Sequence, residues 1–406
     1  MTLPQHYCLW RRCLIGALCV LALCVLMIQG ITTPREQAAA SDLSDKAAAD
    51  IGDAALPSEN WPLFRGDSMA RGVSASKLPD KPELLWKRSY KEHDEAFEAT
   101  AAIVDGVVYL GGLNGPLYAL DLKTGEEKWQ FKTEGGFRAA PAIRDGLIYI
   151  GDNDGKFYCL GAVKGDEKWR FEAQAQIDNG ANFYKDRVIF GSQDATLYYL
   201  EGATGKLVWK HTIGDQIRCF PTIVGNRAFV AGCDGTLHII DLDSGKSTAG
   251  VQPVGPSMGT PAVLGNMLFV GTEGEKFLGI NWREAKVSWT YEHPERKFAY
   301  RASAAATNDV IVIGNRGKFV VGLNSKTGEP IWTYNTPTGI DGSAVIVGGR
   351  AFFGSGRGRL HALDIKTGKP VWEYVAGGGF QSSPAVAAGR LVIGSDDGVV
   401  YCFGAK

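Results

Sequence analysis

The sequence of 406 residues lacks an excess of charge of either sign, with 43 Lys and Arg against 44 Asp and Glu and a formal net charge of −1. Such a chain has no long-range field that attracts nucleic acid, so we expect no nucleic-acid partner. Cysteine is scarce, because four of the eight cysteines lie in the first 24 residues and the rest are too few for a disulfide scaffold. The six histidines are scattered and no Cys-x-x-Cys pair occurs, so no metal site is predicted.

Long apolar runs are also missing, except over residues 13–28. Arg11 and Arg12 precede this run, and a basic start before an apolar stretch is the layout of an export signal. The run is shorter than the ~20 residues that span a bilayer comfortably, but residues 29–31 extend it. We therefore predict that residues 1–31 are a cleaved signal peptide or an uncleaved membrane anchor. Both alternatives place the rest of the chain in the periplasm or at the extracytoplasmic face of the membrane.

The segment that follows, residues 32–60, is rich in Ala, Asp and Ser and almost free of aromatic residues. A segment of that composition buries too little apolar surface to fold, so a disordered tether is predicted. Residues 61–83 are a lead-in segment, and residues 84–406 form one repetitive domain.

Glycine, by contrast, is abundant at 52 residues, and the sequence repeats itself. Residues 117–129 read LYALDLKTGEEKW, and residues 360–372 read LHALDIKTGKPVW. Tryptophans recur with a period of about forty residues, at Trp86, Trp129, Trp169, Trp209, Trp289, Trp332 and Trp372. Ala249 takes the tryptophan position in one further repeat, which makes eight repeats.

Each repeat contains short β-branched and aromatic runs that are broken by Asp-Gly or Gly-Asn pairs, as in DGLIYIGDNDGKFYCLG over residues 145–161. Such pairs are typical of two-residue hairpins, so each repeat is predicted to be four short antiparallel strands. Repeats of this size and content indicate an all-β chain that forms an eight-bladed β-propeller. The last repeat lacks an outer strand, so residues around Leu84 to Arg88 are expected to complete the eighth blade and close a monomeric ring.

The recurring element Ala119-x-Asp121-x-x-x-Gly125-x-x-x-Trp129 resembles the tryptophan-docking motif of the pyrroloquinoline-quinone (PQQ)-like propeller repeat family. The resemblance implies that the seven tryptophans pack between adjacent blades, where one indole buries a large apolar area and its N–H bonds a neighbouring carbonyl. Two subgroups are similar to the chain. The BamB-like subgroup of outer-membrane protein assembly factors implies a bare propeller that binds protein, and the quinoprotein dehydrogenases imply an enzyme that holds PQQ and Ca²⁺.

The length of the links between repeats favours the BamB-like subgroup. The distance from each tryptophan position to the next block is 11 residues in six blades and 14 in the other two, after Trp86 and Trp289. Three extra residues do not build a cofactor lid, and no two cysteines are adjacent, unlike the cysteine pair that stacks on PQQ in the dehydrogenases. We therefore predict an exported, non-catalytic scaffold that binds envelope protein without a cofactor; the alternative is a PQQ-dependent dehydrogenase.

One repeat column is predicted to ring the mouth of the propeller funnel, because it lies just before the innermost strand of each blade. Acid and base alternate along most of it, in Glu98, Arg138, Asp178, Arg218, Met258, Arg301, Asp341 and Gln381. Two interpretations stay open. The column is either a circle of exposed salt bridges, each contributing ~0–1 kcal/mol, or a polar funnel that captures a peptide or small ligand.

The rim of the same face is expected to bind a partner. Arg316 and Arg357 occupy turns that do not need arginine, and the two longer loops carry Tyr90, Tyr291 and Phe298. Aromatic residues beside arginine often dominate interface energetics, so these five residues are candidate partner contacts.

Two further features allow structural predictions. Cys219 and Cys233 flank one hairpin, and whether they form a disulfide stays open, although a Gly225-Asn226 turn directs their thiols to opposite faces. The missing tryptophan at Ala249 leaves a gap that we expect Met258 and Met267 to fill.

Overall fold

A computed structural model describes residues 55–252 and 254–406 of the chain. The predicted signal or anchor and most of the predicted tether lie outside the described residues. Within the described ranges, no helix is long and apolar enough to cross a membrane. The part of the tether that is described packs against the domain: the carbonyl of Ser58 accepts a hydrogen bond from the Ala388 N–H at 2.7 Å.

The described residues form eight blades of four antiparallel strands arranged in a ring, which confirms the predicted eight-bladed propeller. Blades one to eight follow the chain, and each begins with a short innermost strand. These strands are β3 (Ala102–Val104), β7 (Ala142–Arg144), β11 (Asn182–Tyr184), β15 (Thr222–Val224), β19 (Ala262–Leu264), β23 (Ala305–Ala306), β27 (Val345–Val347) and β31 (Ala385–Ala387). The second strands are β4 (Val107–Gly111), β8 (Leu147–Gly151), β12 (Arg187–Gly191), β16 (Arg227–Ala231), β20 (Met267–Gly271), β24 (Val310–Asn315), β28 (Arg350–Ser355) and β32 (Arg390–Gly394).

The outer half of each blade contains two longer strands. The third strands are β5 (Pro116–Asp121), β9 (Lys156–Gly161), β13 (Thr196–Glu201), β17 (Leu237–Asp241), β21 (Phe277–Asn281), β25 (Phe319–Asn324), β29 (Arg359–Asp364) and β33 (Val399–Gly404). The outermost strands are β6 (Glu127–Lys132), β10 (Glu167–Glu172), β14 (Leu207–Thr212), β18 (Lys246–Val251), β22 (Lys286–Tyr291), β26 (Pro330–Asn335), β30 (Pro370–Val375) and, in blade eight, β2 (Glu83–Ser89). A 3₁₀ turn covers Lys91–His93, and β1 (Val73–Ser74) pairs with β27 in parallel.

The ring closes as predicted, because β2 from the start of the domain pairs with β33 at its end. Glu83 lies opposite Gly404 and Trp86 lies opposite Cys402 in this antiparallel pair. Pairing the two ends of the domain in one sheet leaves no open array of blades whose end faces are exposed.

Burial follows the position of each strand in its blade. Strand β9 is buried along almost its whole length, because neighbouring blades cover both of its faces, whereas the outermost strand β10 alternates between half-buried and exposed residues. Continuous apolar runs therefore mark the inner strands, and alternating charged and aromatic residues mark the outer ones.

Six of the seven predicted docking tryptophans donate a hydrogen bond from the indole Nε1 to a backbone carbonyl of the next blade. The pairs are Trp86 to Leu122 at 3.0 Å, Trp129 to Ala162 at 3.2 Å, Trp169 to Gly202 at 3.0 Å, Trp209 to Leu242 at 3.1 Å, Trp289 to Ser325 at 3.3 Å and Trp332 to Ile365 at 2.8 Å. Trp372 packs against Phe403 at a centroid distance of 5.6 Å, between blades seven and eight. The seven indoles thus lie between blades, and six of them bond across their junction.

At the six junctions where the indole bonds across, a glycine in the turn of the next blade gives the indole its space. A Cβ at Gly205 would lie 2.6 Å from Cε3 of Trp169, and Gly205 has a φ of +72°. The exception is Ala285, which follows the blade in which Ala249 replaces tryptophan, so the glycine is missing at the same junction as the indole.

Trp282 fills the gap at that junction. Its ring lies 5.2 Å from the ring of Phe229 in blade four, and its side chain is 8% exposed. Tyr149 holds the same position in blade two that Phe229 holds in blade four. Its ring contacts Trp169 of its own blade in the same way, with 5.9 Å between the ring centroids. The prediction that Met258 and Met267 fill the gap is therefore wrong: an indole from blade five supplies the missing volume.

The lead-in segment closes the central channel, a role that its sequence did not indicate. Residues 58–74, named here the plug segment, hydrogen-bond to the innermost strand region of all eight blades. The backbone partners are Ile103, Ile143, Ile223, Val263, Ala306, Ile346 and Ala388, and in blade three the Asn182 side chain donates to the Ser68 carbonyl at 3.0 Å. Trp61 and Arg65 of the plug segment are fully buried, so the funnel ends blindly.

The four cysteines in the described part of the chain are free. The register of β15 and β16 pairs Thr222 with Phe229, which is the register expected from a turn at Gly225-Asn226. The open question of a bond between Cys219 and Cys233 is therefore answered in favour of two separate thiols.

Candidate functional site

The predicted column lines one cavity at the mouth of the funnel, and all eight members contribute to its wall. The cavity has a volume of about 180 Å³. Each member precedes an innermost strand, so the propeller symmetry brings residues about forty positions apart in sequence to one ring. The period of the repeat in the sequence predicts this assembly.

The charged members of the ring are held in ion pairs. Arg138 pairs with Glu98 in the neighbouring blade, with 3.3 Å between Nε and Oε2. Arg218 donates from Nε and Nη2 to Oδ2 of Asp178, at 3.1 and 3.0 Å. These two contacts match the salt-bridge interpretation of the column for blades one to four.

The remaining two charges of the ring pair with residues outside it. Arg301 holds Glu273 through two hydrogen bonds of 2.8 and 2.9 Å, and Arg316 holds Asp341 through two of 2.6 and 3.2 Å. The ring is therefore not one continuous circle of salt bridges, because blades five to seven use partners from the hairpins of the rim.

Asp178 is the most buried carboxylate of the ring. Its side chain is 8% exposed, and burial raises its pKa, although Arg218 and Gln193 act in the opposite direction. Its Oδ2 accepts every hydrogen bond that the carboxylate receives, and Oδ1 has no partner among the described residues. Oδ1 of Asp178 is thus a hydrogen-bond acceptor that no described residue uses.

The floor of the cavity lies two residues deeper in each blade and is divided into two halves. Five consecutive blades contribute hydroxyls, from Thr260, Ser303, Ser343, Ser383 and Thr100, and these residues are named here the hydroxyl arc. The other three blades contribute Ala140, Gly180 and Phe220. Phe64 of the plug segment completes this apolar half, with its ring centroid 5.8 Å from that of Phe220.

Two of the candidate partner contacts are buried, which corrects the expectation that they face a partner. Tyr90 is 5% exposed, because the 3₁₀ turn after it folds the loop back and places its ring 4.3 Å from Tyr118. Its hydroxyl donates to Glu127 at 3.0 Å. Tyr291 ends β22 opposite Phe277 and is 7% exposed. Both tyrosines belong to the core of their blades.

The third aromatic candidate, Phe298, is 53% exposed. Its carbonyl accepts a hydrogen bond of 2.7 Å from the Asn315 side chain, which fixes the loop on the rim hairpin of blade six. A Cβ at Gly317 would lie 3.0 Å from the Phe298 ring, so this glycine leaves the ring room beside the hairpin. Phe298 is thus presented at the surface by a supported loop.

The rim of blades six and seven also carries basic side chains. Lys297, Lys318 and Arg357 are exposed, and none of the three forms an ion pair with any residue that the structure describes. We name these three residues the basic rim. The candidate Arg316 lies in the same hairpin as Lys318, but its charge is compensated by Asp341.

The geometry of the funnel does not fit PQQ with calcium. Calcium takes about six to eight oxygen ligands, and the described residues contain no group of three or more His, Cys, Asp or Glu side chains that would hold a metal. The ring carboxylates Glu98, Asp178 and Asp341 are each engaged by an arginine. The cavity is also smaller than the ~300 Å³ at which ligand pockets typically begin.

Solved structures similar to this chain include both subgroups named above. BamB from Moraxella catarrhalis matches with a TM-score of 0.66 and 20% identity, over 80% of this chain and 100% of that one. Quinohemoprotein alcohol dehydrogenase from Comamonas testosteroni matches with a TM-score of 0.71 and 14% identity, over 89% of this chain and 84% of that one. Likeness at this level of identity shows the shared propeller fold.

Comparisons of sequence identify the family of the chain. A curated relative, lupanine 17-hydroxylase (cytochrome c) from a Pseudomonas species, is 34% identical over 85 residues, which are 20% of this chain and 12% of the relative. The family described as outer membrane protein assembly factor BamB matches residues 79–219, 193–345 and 337–406. Because these ranges cover the whole propeller, the chain belongs to the outer membrane protein assembly factor BamB family.

Proposed function

We propose that this protein is an exported, non-catalytic propeller that binds another protein in the cell envelope, as the family name of BamB suggests. The observation that carries the proposal is the rim of blades six and seven, which presents the exposed ring of Phe298 and the three cations of the basic rim, none of them in an ion pair with a described residue. Exposed aromatic residues and arginine are enriched in protein-binding surfaces, and rim charges of one sign steer the approach of a partner of the opposite sign.

The rim of the funnel face differs in charge from blade to blade, and this difference indicates the chemistry of the partner. The corresponding hairpins carry acids in other blades, such as Asp194, Asp234 and Asp397, whereas blades six and seven carry Lys318 and Arg357. An acidic partner surface is attracted to the basic sector and repelled by the acidic ones, so the charge pattern specifies the orientation of docking.

The funnel supports a binding role more than a catalytic one. Four ion pairs hold the charged side chains of its ring, and the links between blades add no lid over it. The match to lupanine 17-hydroxylase keeps a PQQ-dependent dehydrogenase as the second candidate. Titration of the chain with PQQ and Ca²⁺ tests that candidate, and stoichiometric binding followed by dye reduction with an alcohol would establish it.

Partner capture in the envelope tests the proposed function. We expect the triple variant Lys297→Glu, Lys318→Glu and Arg357→Glu to lose at least tenfold in cross-linked partner, because rim charges govern association and each reversal turns attraction into repulsion. The matched control is Lys123→Glu, Lys326→Glu and Lys366→Glu, three exposed lysines in the hairpins of the opposite face.

The control variant is expected to capture the partner as the parent chain does, with an unchanged melting curve for both variants. Equal capture by the two triple variants would move the binding surface away from the basic rim. If the parent chain captures no protein above the level of an unrelated propeller, the proposed function itself fails.

A further inference from the structure

The hydroxyl arc contains hydrogen-bond donors that the protein does not use. Thr260 Oγ1 accepts the backbone N–H of Phe220 at 3.0 Å, and Ser303 Oγ accepts that of Thr260 at 3.0 Å. The pattern continues around the ring, since Ser343 accepts from Ser303 at 2.8 Å and Ser383 accepts from Ser343 at 2.9 Å. Each of these hydroxyl oxygens is therefore fixed in position by the neighbouring blade.

A hydroxyl that accepts one hydrogen bond still has its own O–H to donate. None of the five hydroxyls of the arc donates to an acceptor within residues 55–252 or 254–406, although all five residues are at most 5% exposed. The five hydroxyls line the cavity, so an acceptor that enters the cavity can receive them. Because the donors are on consecutive blades and line one cavity, a single acceptor group on the axis can receive several of them.

A positive charge without a counter-ion lies beneath the same side of the floor. Arg65 of the plug segment is fully buried, and its Nη2 donates to the carbonyls of Ala304 and Ala344, which directly follow Ser303 and Ser343. Its Nε and Nη1 have no partner in the described part of the chain. Burial lowers the pKa of Arg65 to about 9, although Asp67 acts in the opposite direction.

The carboxylate nearest in sequence does not neutralise Arg65, because Asp67 pairs with Arg71 at 2.7 Å. The guanidinium forms no salt bridge with a described residue, so its positive field is only partly offset by Asp67, and in a region of low dielectric constant charges act more strongly than in water. A row of O–H donors above a buried cation is the electrostatic complement of an oxyanion.

We propose that the floor of the funnel binds a carboxylate, held by the O–H groups of the hydroxyl arc and stabilised by the charge of Arg65. The cavity of about 180 Å³ admits a group of a few heavy atoms, and Phe64 and Phe220 on the other half of the floor accommodate its apolar part. The carboxylate belongs either to a free small acid or to a peptide chain. This site is independent of the basic rim and of the proposed function.

Ligand-observed NMR on the full chain in detergent tests the site, with acetate and acetyl-Gly-Gly as probes and the amide of acetyl-Gly-Gly as the neutral analogue. We expect saturable, competitive binding of at least one carboxylate probe and none of the amide. Binding of acetate identifies a free acid as a sufficient ligand, and binding of the peptide acid alone identifies a carboxylate on a peptide.

Two neighbouring serines give a matched pair of variants. Ser383→Ala removes one donor of the arc, and we expect about tenfold weaker binding, because a hydrogen bond to a charged group contributes roughly that factor. Ser382→Ala is the control, since its hydroxyl already donates to the Gly394 carbonyl at 2.7 Å and does not line the cavity. The double variant Ser343→Ala and Ser383→Ala should bind still more weakly.

Thermal unfolding of each variant shows whether the blades remain folded, and the single variants decide the outcome if the double variant unfolds. Absence of saturable binding by both carboxylate probes would overturn the proposal, and so would equal affinities in Ser382→Ala and Ser383→Ala. Equal binding of the peptide acid and its amide would also overturn it, because the charge would then play no part.

Discussion

The junction between blades four and five differs from the other junctions of the propeller, and the difference shows what a blade junction requires. At a regular junction, such as that between blades two and three, Trp169 on the outermost strand reaches forward and bonds the Gly202 carbonyl. At the irregular junction, Ala249 stands in the tryptophan position, and Trp282 of blade five reaches back to Phe229.

The two arrangements supply an indole to the same place from opposite sides. Trp282 occupies the repeat column of Gly202 and donates its own Nε1 hydrogen to the Gly265 carbonyl at 3.0 Å. The turn glycine is needed only where an indole arrives from the preceding blade, so Ala285 is tolerated next to Ala249. At both junctions an indole fills the space between the two blades and its N–H donates to a carbonyl. The indole can therefore come from either of the two blades.

Removal of an indole from a regular junction has the largest expected effect. Trp169→Ala should lower the free energy of unfolding by about 3–5 kcal/mol, because the change leaves a large cavity between two blades. Denaturant unfolding followed by tyrosine and tryptophan fluorescence measures this loss. Ala249→Gly is the control, because it changes the tryptophan position that carries no indole. If Trp169→Ala lowered the free energy of unfolding no more than Ala249→Gly does, the regular junction would not depend on its indole.

Trp282→Leu tests whether the irregular junction depends on its displaced indole. We expect a loss of about 2 kcal/mol, smaller than for Trp169→Ala because leucine fills part of the space. Ala249→Trp alone should also destabilise, by about 1–3 kcal/mol, since Trp282 already occupies the volume.

The double variant Trp282→Leu and Ala249→Trp tests whether the two side chains share one space, because it moves the indole back to the position that other blades use. In Trp282→Leu the additional Ala249→Trp should restore stability, which gives a favourable coupling of about 1–3 kcal/mol in the double-mutant cycle. Additive effects of the two changes would mean that the two side chains do not share one space.

The prediction of the fold from sequence succeeded where the signals are local and repeated. The period of the tryptophans, the Asp-Gly hairpins and the missing last strand together predicted eight blades and their closure by β2. The role of Trp282 was missed because it lies outside the tryptophan column, although Ala249 and Ala285 already marked the junction as exceptional.

The plug segment and the floor were harder to predict for a different reason. Residues 58–74 have no strand periodicity, and their hydrogen bonds reach blades up to 330 positions away in sequence, as between Ser58 and Ala388. The hydroxyl arc is visible in the sequence as a Ser or Thr at the start of five of the eight blocks. The carboxylate site that we propose for this column also depends on Arg65, which lies outside the repeats.

Loop length was also a poor guide to exposure. The loops after Trp86 and Trp289 are equally long, but the first folds into a 3₁₀ turn that buries Tyr90, whereas the second presents Phe298. The sequence predicted which face carries the longer loops, and side-chain packing decided which aromatic residue reaches the surface.

The turn residues give the smallest and most direct test of the comparison, because one methyl group changes at each junction. Gly205→Ala should cost about 1–2 kcal/mol, since its φ of +72° disfavours a side chain and its Cβ would lie 2.6 Å from the Trp169 ring. Ala285→Gly should change the free energy of unfolding by less than about 0.5 kcal/mol, because relief of its positive φ of 49° offsets the greater freedom of glycine in the unfolded chain. Unfolding curves of the two variants in the same denaturant give both values. An equal cost at both turns would show that the glycine serves the turn itself, and that the indole of the preceding blade places no demand on it.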